Sequence, residues 1–282
     1  MSVNISDVLV KKFENEAIMA FQETGSSLRD TVKVRDAKGA NQVQFQVYGQ
    51  VMANERGAVH TPIPVQDPSL TPATATVKNY APSIMTDIFL NNQVGFDARQ
   101  EAVQGIVAAM NRRLDEIVIG ALDSATGKTV ASGSDNLNVG HFASSARELG
   151  SAVPDADRHF LCHDNGFYHF VQESDVASGD YNPYQSLVNG SVPQYLGFNI
   201  RKIGDRDSVT LGDGAGGLAL ATNDRTNYAW QKDSIGLAMN MQPKVMIDWD
   251  PAYGAHRVTG YMSAGAVLIQ DAGVVTITTD ES

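Results

Sequence analysis

The chain has 282 residues, enough for one large domain or two modest ones with a real core, and its 43% hydrophobic and 19% charged residues exclude wholesale disorder. With 21 Lys+Arg against 32 Asp+Glu the formal charge is −11, concentrated in the second half, the opposite sign to a surface that grips a phosphate backbone. Cys162 is the single cysteine, no basic segment followed by an apolar run opens the sequence, and no stretch nears the ~20 apolar residues of a membrane helix, so a soluble cytoplasmic product is expected.

Residues 6–23 predict a helix, because Val8, Val10, Phe13, Ala17, Ile18 and Phe21 form an apolar stripe that Gly25 ends. From Thr31 the period becomes two. Over residues 42–51 the alternation is strict, with Val43, Phe45, Val47 and Val51 on one face and Gln42, Gln44, Gln46, Tyr48 and Gln50 on the other. Asn54, Glu55, Arg56 and Gly57 supply turn chemistry, and the chain is predicted to return through Val59, Thr61, Ile63 and Val65, alternating with His60, Pro62, Pro64 and Gln66. This is a long β-hairpin. Its prolines lack backbone donors and confine it to a sheet edge or to an arm standing away from the body. Ten extended residues reach roughly 33 Å, and a two-stranded ribbon is marginal in water unless something covers it. The apolar face, at about 1.5–3 kcal/mol per fully buried side chain, offers on the order of 10–20 kcal/mol to that cover. Either the chain's own body supplies it, since antiparallel sheets often bury one face, or a second molecule does; the prolines favour the second.

Residues 97–122 read as a long helix. Asp97 with Gln100 makes a capping-box pattern, and Val103, Ile106, Val107, Met110, Leu114, Ile117, Val118, Ala121 and Leu122 recur at helical spacing. About 26 residues at 1.5 Å rise give roughly 39 Å, one side of which must bury against a sheet; Gly127 is the stop signal. The second half alternates short elements, a helix near 142–149, a strand at 158–163, a helix at 165–173 and loops rich in Gly and Asp around Gly179 and 204–217, as in a compact α+β lobe. Strands return at 235–241, 244–249, 257–269 and 274–279, with a turn from Asp250 to Gly254.

Chemistry-bearing motifs are weak. Gly212, Gly214 and Gly217 satisfy G-x-G-x-x-G, but Leu218 to Asp224 leave no room for the helix that a dinucleotide site requires, so a tight loop is expected. Gly127, Lys128 and Thr129 resemble the end of a phosphate-binding loop, yet Leu122 stands where that loop needs glycine, and a helix cap is the better reading. His159, Cys162, His163, Asp164 and His169 are the one dense group of metal-ligand types. On a strand His159 and His163 share one face while Cys162 takes the other, so a buried cysteine between half-exposed histidines is expected. A metal-dependent enzyme using His159, Cys162 and His163 is the alternative from another class. The acid pairs Asp205/Asp207 and Asp248/Asp250 read as solvated or turn-capping groups. No catalytic residue, cofactor or metal site is assigned.

The order of elements is more informative: helical N-terminal arm, long hairpin, strand, long helix, compact acidic lobe, returning strands. It resembles the major capsid protein of tailed bacteriophages, the Hong Kong 97 fold. The stretch from Gln231 through Leu237, followed by Tyr253 to Val258, is similar to the tail of many such coat proteins. The resemblance implies an α+β capsid fold with an N-terminal arm at 1–35, an extended hairpin loop at 36–78, a peripheral domain at 79–140 and 231–282 built on the spine helix, and an axial domain at 141–230. It implies a structural, non-enzymatic subunit that self-assembles into pentamers and hexamers of an icosahedral virion shell. That shell encloses double-stranded DNA without tight or sequence-specific binding and is assembled in the host cytoplasm, with no cofactor and no membrane. Little chain precedes the loop, which implies a separate scaffolding protein, alongside a portal. Lys38 and Lys78, the lysines near the loop, lie toward its base, which argues against a Lys–Asn isopeptide weld. An encapsulin-like nanocompartment shell is the alternative of the same fold. The subunit interface is then expected at Val43, Phe45, Val47, Val51, Val59, Ile63 and Val65, with Glu55 and Arg56 making rim salt bridges from the tip. On that reading Phe45→Asp leaves the isolated fold intact and abolishes particles.

Overall fold

A computed structural model describes residues 25–55, 57, 63, 65–88, 98–131, 135–151, 156–173, 176, 194–204, 217–221 and 223–281. The helix predicted over 6–23 lies outside the described residues, as do Arg56, Val59 and Asp97. The strands, in chain order, are β1 (Lys33–Asp36), β2 (Gln42–Tyr48), β3 (Leu70–Thr76), β4 (Lys78–Tyr80), β5 (Ser83–Asp87), β6 (Thr129–Ala131), β7 (Arg158–His163), β8 (Gln194–Tyr195), β9 (Phe198–Ile203), β10 (Leu220–Ala221), β11 (Asp224–Gln231), β12 (Ile235–Asp250), β13 (Ala255–Leu268) and β14 (Val274–Asp280). The helices are α1 (Ala98–Asp123), α2 (Val139–Gly150) and α3 (Asp164–Gln172).

The 26 residues of α1 form the long helix that the spacing predicts. Its stripe of Ile106, Met110, Leu114, Val118 and Leu122 is almost wholly buried, and what it buries against is two sheets rather than one. The first has the order β1-β12-β13-β4, with β5 also on β13. β12 and β13 run antiparallel from Ile235–Leu268 to Asp250–Ala255, and α1 lies across them with Ile106 and Met110 against Gly260. The sequence suggests separate strands at 235–241 and 244–249. They are one strand, in which register shifts between Met239 and Lys244 absorb Gln242 and Pro243.

The second sheet has the order β6-β14-β11-β7-β9-β8, with β10 on β11. One face is covered by α2 and α3 around Phe142, Phe160, Phe170 and Phe198. Phe142 stacks on Phe160 at 4.1 Å and tilts against Phe170 at 4.5 Å. The other face contributes Leu161, Tyr228, Trp230 and Val274 to the core of α1. The last strand, β14, pairs with β11, and β6 pairs with β14, so both belong to this sheet. The closing strand thus crosses back to finish the lobe.

Polar groups pin α1 and the chain that precedes β1 to their surroundings. The buried Asp115 carboxylate accepts from Ser26 Oγ at 2.7 Å and from Leu28 N–H at 3.1 Å, tying the incoming chain to the middle of the helix. Trp230 Nε1 donates to Thr31 O at 3.1 Å, and Tyr228 Oη donates to Asp123 at 3.0 Å.

The hairpin forms a third, two-stranded sheet of β2 and β3. Its pairing corrects the predicted return through Val59 to Gln66. Gln42 faces Thr76 and Tyr48 faces Leu70, and Gly49 N–H continues the ladder to Ser69 O at 2.8 Å. The chain therefore travels further before returning than the turn residues 54–57 suggest, and Ile63 and Val65 belong to the distal segment. The base of the ribbon is seated on the chain's own body. Phe45 is 3% exposed, in a small core with Ala37, Ala75 and Ala238, flanked by Val43, Ala73, Val267 and Ile269. Two glycines of the first sheet make that approach possible. A Cβ on Gly236 would meet the Phe45 ring at 2.7 Å, and one on Gly265 would meet the Thr76 carbonyl oxygen at 2.1 Å.

Phe45 is thus a core residue of its own subunit, contrary to its expected place in an interface. Phe45→Asp is expected to destabilise the isolated chain by at least about 3 kcal/mol, since it deletes a buried ring and buries a charge; an unchanged denaturation midpoint would refute the seat.

In the second lobe, α2 opens on a reciprocal cap. Asn138 Oδ1 accepts from His141 N–H at 3.0 Å, and His141 Nδ1 accepts from Asn138 N–H at 3.1 Å. Burial holds the His141 imidazole below its ordinary value, against the pull of Asp135 and Glu173. A depressed folded value means the stabilisation is complete above the unfolded value of about 6.5 and is lost as pH falls through the folded one. The urea midpoint is expected to fall more steeply between pH 7.5 and pH 5 in the native chain than in His141→Gln, whose amide keeps the box without titrating; identical slopes would refute this.

Candidate functional site

The seat divides the hairpin's apolar residues into two groups. Val43, Phe45 and Val47 are buried or half-buried toward the chain's own sheet, with Val47 and Phe45 lining a groove of about 220 Å³ beside Lys33, Arg35 and Ile269. The Arg35 guanidinium lies over the Phe45 ring at 5.3 Å and donates to Gln44 O at 3.2 Å, closing one side of the seat. Beyond Gly49 the burial stops. Val51 is 60% exposed, Ile63 73% and Val65 92%. Glu55 is exposed as well, while Arg56 and Val59 lie outside the described residues.

Three further exposed residues escaped the period-two reading. Met52 breaks the alternation, Tyr48 falls on the face assigned as polar, and Leu70 begins the true return strand opposite Tyr48; each is more than half exposed. The signal for Tyr48 and Leu70 was their bulk beside a ladder whose register depends on the loop length, which no local pattern supplies.

The candidate metal ligands do not converge. Cys162 points into the phenylalanine core, fully buried, and its thiol is pushed up to about 12 by burial, so it holds its proton at neutral pH. His159 and His163 occupy the opposite face and are themselves buried, not half-exposed as expected. His159 stands 3.7 Å from Asp157 and tilts against Trp230; burial holds its ring below the ordinary value. His163 stands 3.4 Å from Glu281, which also accepts from Arg225 at 3.1 Å. Burial alone would raise the Glu281 carboxyl, but His163 and Arg225 together hold it low. This buried charge group fastens the chain's last residues to β7 and β11.

The other motifs resolve into structural roles. Lys128 Nζ donates to Glu148 O and to Ser151 Oγ, capping the far end of α2. Asp250 accepts from Ala252 N–H at 3.2 Å and pairs with Arg257 at 2.9 Å, the turn-capping role expected of it. Asp205, Asp207, Gly212 and Gly214 lie outside the described residues.

No curated protein matches the chain in sequence. A family model described as phage capsid protein matches residues 5–281. Among solved structures, a chain of the cyanophage P-SCSP1u capsid superposes with a TM-score of 0.73 at 16% identity, covering 100% of this chain and 96% of that one. A chain of the cyanophage Pam1 capsid gives 0.72 at 14% identity, covering 100% and 98%. The head of Helicobacter pylori bacteriophage KHP40 gives 0.74 at 11% identity, covering 99% and 97%. At such identities the superpositions establish the fold, which is the Hong Kong 97-like capsid fold, while the family model carries the membership. With its seated arm, long helix and two sheets matched from end to end, the chain belongs to the phage capsid protein family and is a structural subunit of a virion shell.

Proposed function

We propose that the distal hairpin, and not its base, is the part of the arm that lies across a sister subunit. The observation that carries this is the abrupt change at Gly49. Toward the body the arm is seated, whereas beyond it Val51, Met52, Ile63 and Val65 are exposed on a segment anchored at both ends. Exposed apolar residues in such a cluster are a liability in a monomer and an asset in an assembly. The chain is a shell subunit that associates with copies of itself. In this reading copies close into pentamers and hexamers of an icosahedral capsid, through head-to-tail contacts that repeat around each ring. Residues 36–78 form the arm, α1 with the first sheet the peripheral body, and the second sheet with α2 and α3 the axial lobe.

The shell encloses double-stranded DNA, is assembled in the host cytoplasm and draws on a separate scaffolding protein and a portal; these partners are assigned on the family resemblance alone. A net charge of −11 supports a wall that does not grip its contents. Nanomolar affinity of the free subunit for duplex DNA at physiological salt would contradict that part. Lys78 opens β4 at the foot of the arm, and Lys38 precedes β2, so no covalent weld through the arm is proposed.

The arm reading is tested with Ile63→Asp combined with Val65→Asp. Both side chains stand free of the chain's own core, so the isolated subunit is expected to keep its stability to within about 0.5 kcal/mol while particles disappear from negative-stain images. Normal particles from this variant would remove the distal arm from the interface.

A further inference from the structure

The longest of the described strands, β12, is covered along one edge for only a fraction of its length. β1 pairs with β12 from Gly236 to Met239, and among the described residues no strand lies beyond β12 from Met241 to Asp250. The phase of the ladder shows which backbone groups are left open. Gly260 N–H donates to Pro82 O at 2.9 Å, away from β12, so the opposed pair Val245 and Gly260 share no ladder bonds. Val245, Ile247 and Trp249 therefore aim their N–H and C=O groups outward. Pro243, which has no donor to offer, stands two residues earlier, as prolines do on edges.

Beside the charges of Lys244 and Asp248, this edge carries large apolar side chains that an exposed edge usually lacks. Ile247 and Trp249 are 49% and 48% exposed on the helix side, and Met246 is 39% exposed on the other face between Lys244 and Asp248. That second face is self-complementary. An antiparallel partner related by a two-fold axis through Met246 sets Met246 on Met246, Val245 opposite Ile247, and Lys244 opposite Asp248 twice. Neighbouring registers lose this match. An axis through Asp248 places two carboxylates face to face. One through Ile247 sets Met246 against Asp248 and aims Lys244 at Asp250, which Arg257 already engages at 2.9 Å.

We propose that the open edge of β12 pairs with the same edge of a second copy about a two-fold axis at Met246, joining two subunits through one continuous sheet. The occupant is a second copy because the chain is a self-associating shell subunit and the edge matches itself in charge. This contact is separate from the distal arm and does not depend on it.

In such a pairing the two Met246 residues form a pair without shared backbone bonds, the closest kind, with Cα atoms about 4.5 Å apart, within reach of a disulfide. The test uses assembled particles of Met246→Cys under mild oxidation. The native Cys162 is fully buried, so a cross-link reports the introduced pair. Disulfide-linked dimers are expected from Met246→Cys and not from Met241→Cys, whose copies would lie at opposite ends of the joined edge. Lys244→Glu is expected to lower particle yield at least ten-fold, and adding Asp248→Lys to restore it to within two-fold. Particles of Met246→Cys without dimers, an unchanged yield for Lys244→Glu, or a failed rescue would each overturn the proposal. So would a cross-link formed between Met246→Cys and Val51→Cys in particles of the double variant, which would give the edge to the neighbour's arm. Loss of particles in Ile63→Asp with Val65→Asp leaves all of these readings intact, so the two contacts fail separately.

Discussion

One apolar stripe holds the two halves of the subunit together. Ile106 and Met110 of α1 press on the first sheet at Gly260, while the same core takes in Leu161, Tyr228 and Trp230 of the second sheet. Burying five large side chains of such a helix contributes on the order of 10 kcal/mol, comparable to the whole net stability of a domain. The helix is thus the main element that sets the sheets' relative position, with the bond from Trp230 to Thr31 beside it. Asp115, held by Ser26 and Leu28, and Asp123, held by Tyr228, then fix the helix along its length, because a buried polar group that has one good partner has few alternatives. A shell subunit needs this stiffness, since small errors of angle within each copy accumulate around a closed surface.

The hairpin obeys the opposite requirement. It must reach, yet a free two-stranded ribbon is barely stable, so its root is made part of the body. Phe45 over Gly236 and the strand crossing over Gly265 do this with small residues on the receiving side and alanines opposite the ring. The same alternating pattern continues past Gly49, where among the described residues no receiving surface lies beneath it. On the proposed reading one run of apolar residues serves two purposes, first self-anchoring and then contact with another molecule, and the boundary between them is set by where the body ends.

That boundary is why the sequence was legible in some places and not in others. Periodicity of 3.6 over 26 residues identifies α1 unambiguously, because nothing else buries that spacing, and the strand at 158–163 likewise follows from its own residues. Period two identifies β2 but not what covers it, since Phe45 and Val51 look alike until the glycines at 236 and 265 are brought under one of them. The return strand was misplaced because Asn54 to Gly57 have good turn chemistry, while the register that won is set by the fit of Ala73 and Ala75 opposite Phe45 and Val43. Leu70 to Thr76, carrying Pro72 and three threonines, has almost no hydrophobic signal of its own. The membership of β14 in the second sheet is a long-range pairing that no window of the chain contains.

The histidines show the same limit from the chemical side. Alternation correctly separates Cys162 from His159 and His163, which is a local property of any strand. Whether the histidine face is wet or dry depends on Trp230 beside His159 and on Glu281 beside His163, both far away along the chain. Dry, that face becomes a fastening for the chain's end, with Arg225 and His163 holding one carboxylate between them. A buried charge group of this kind stabilises little beyond what an apolar plug would, but it is intolerant of rearrangement, since separating any member strands the others without water. If the arm and the β12 edge are covered by neighbours as proposed, a closing strand that admits a single arrangement keeps the openness confined to those surfaces.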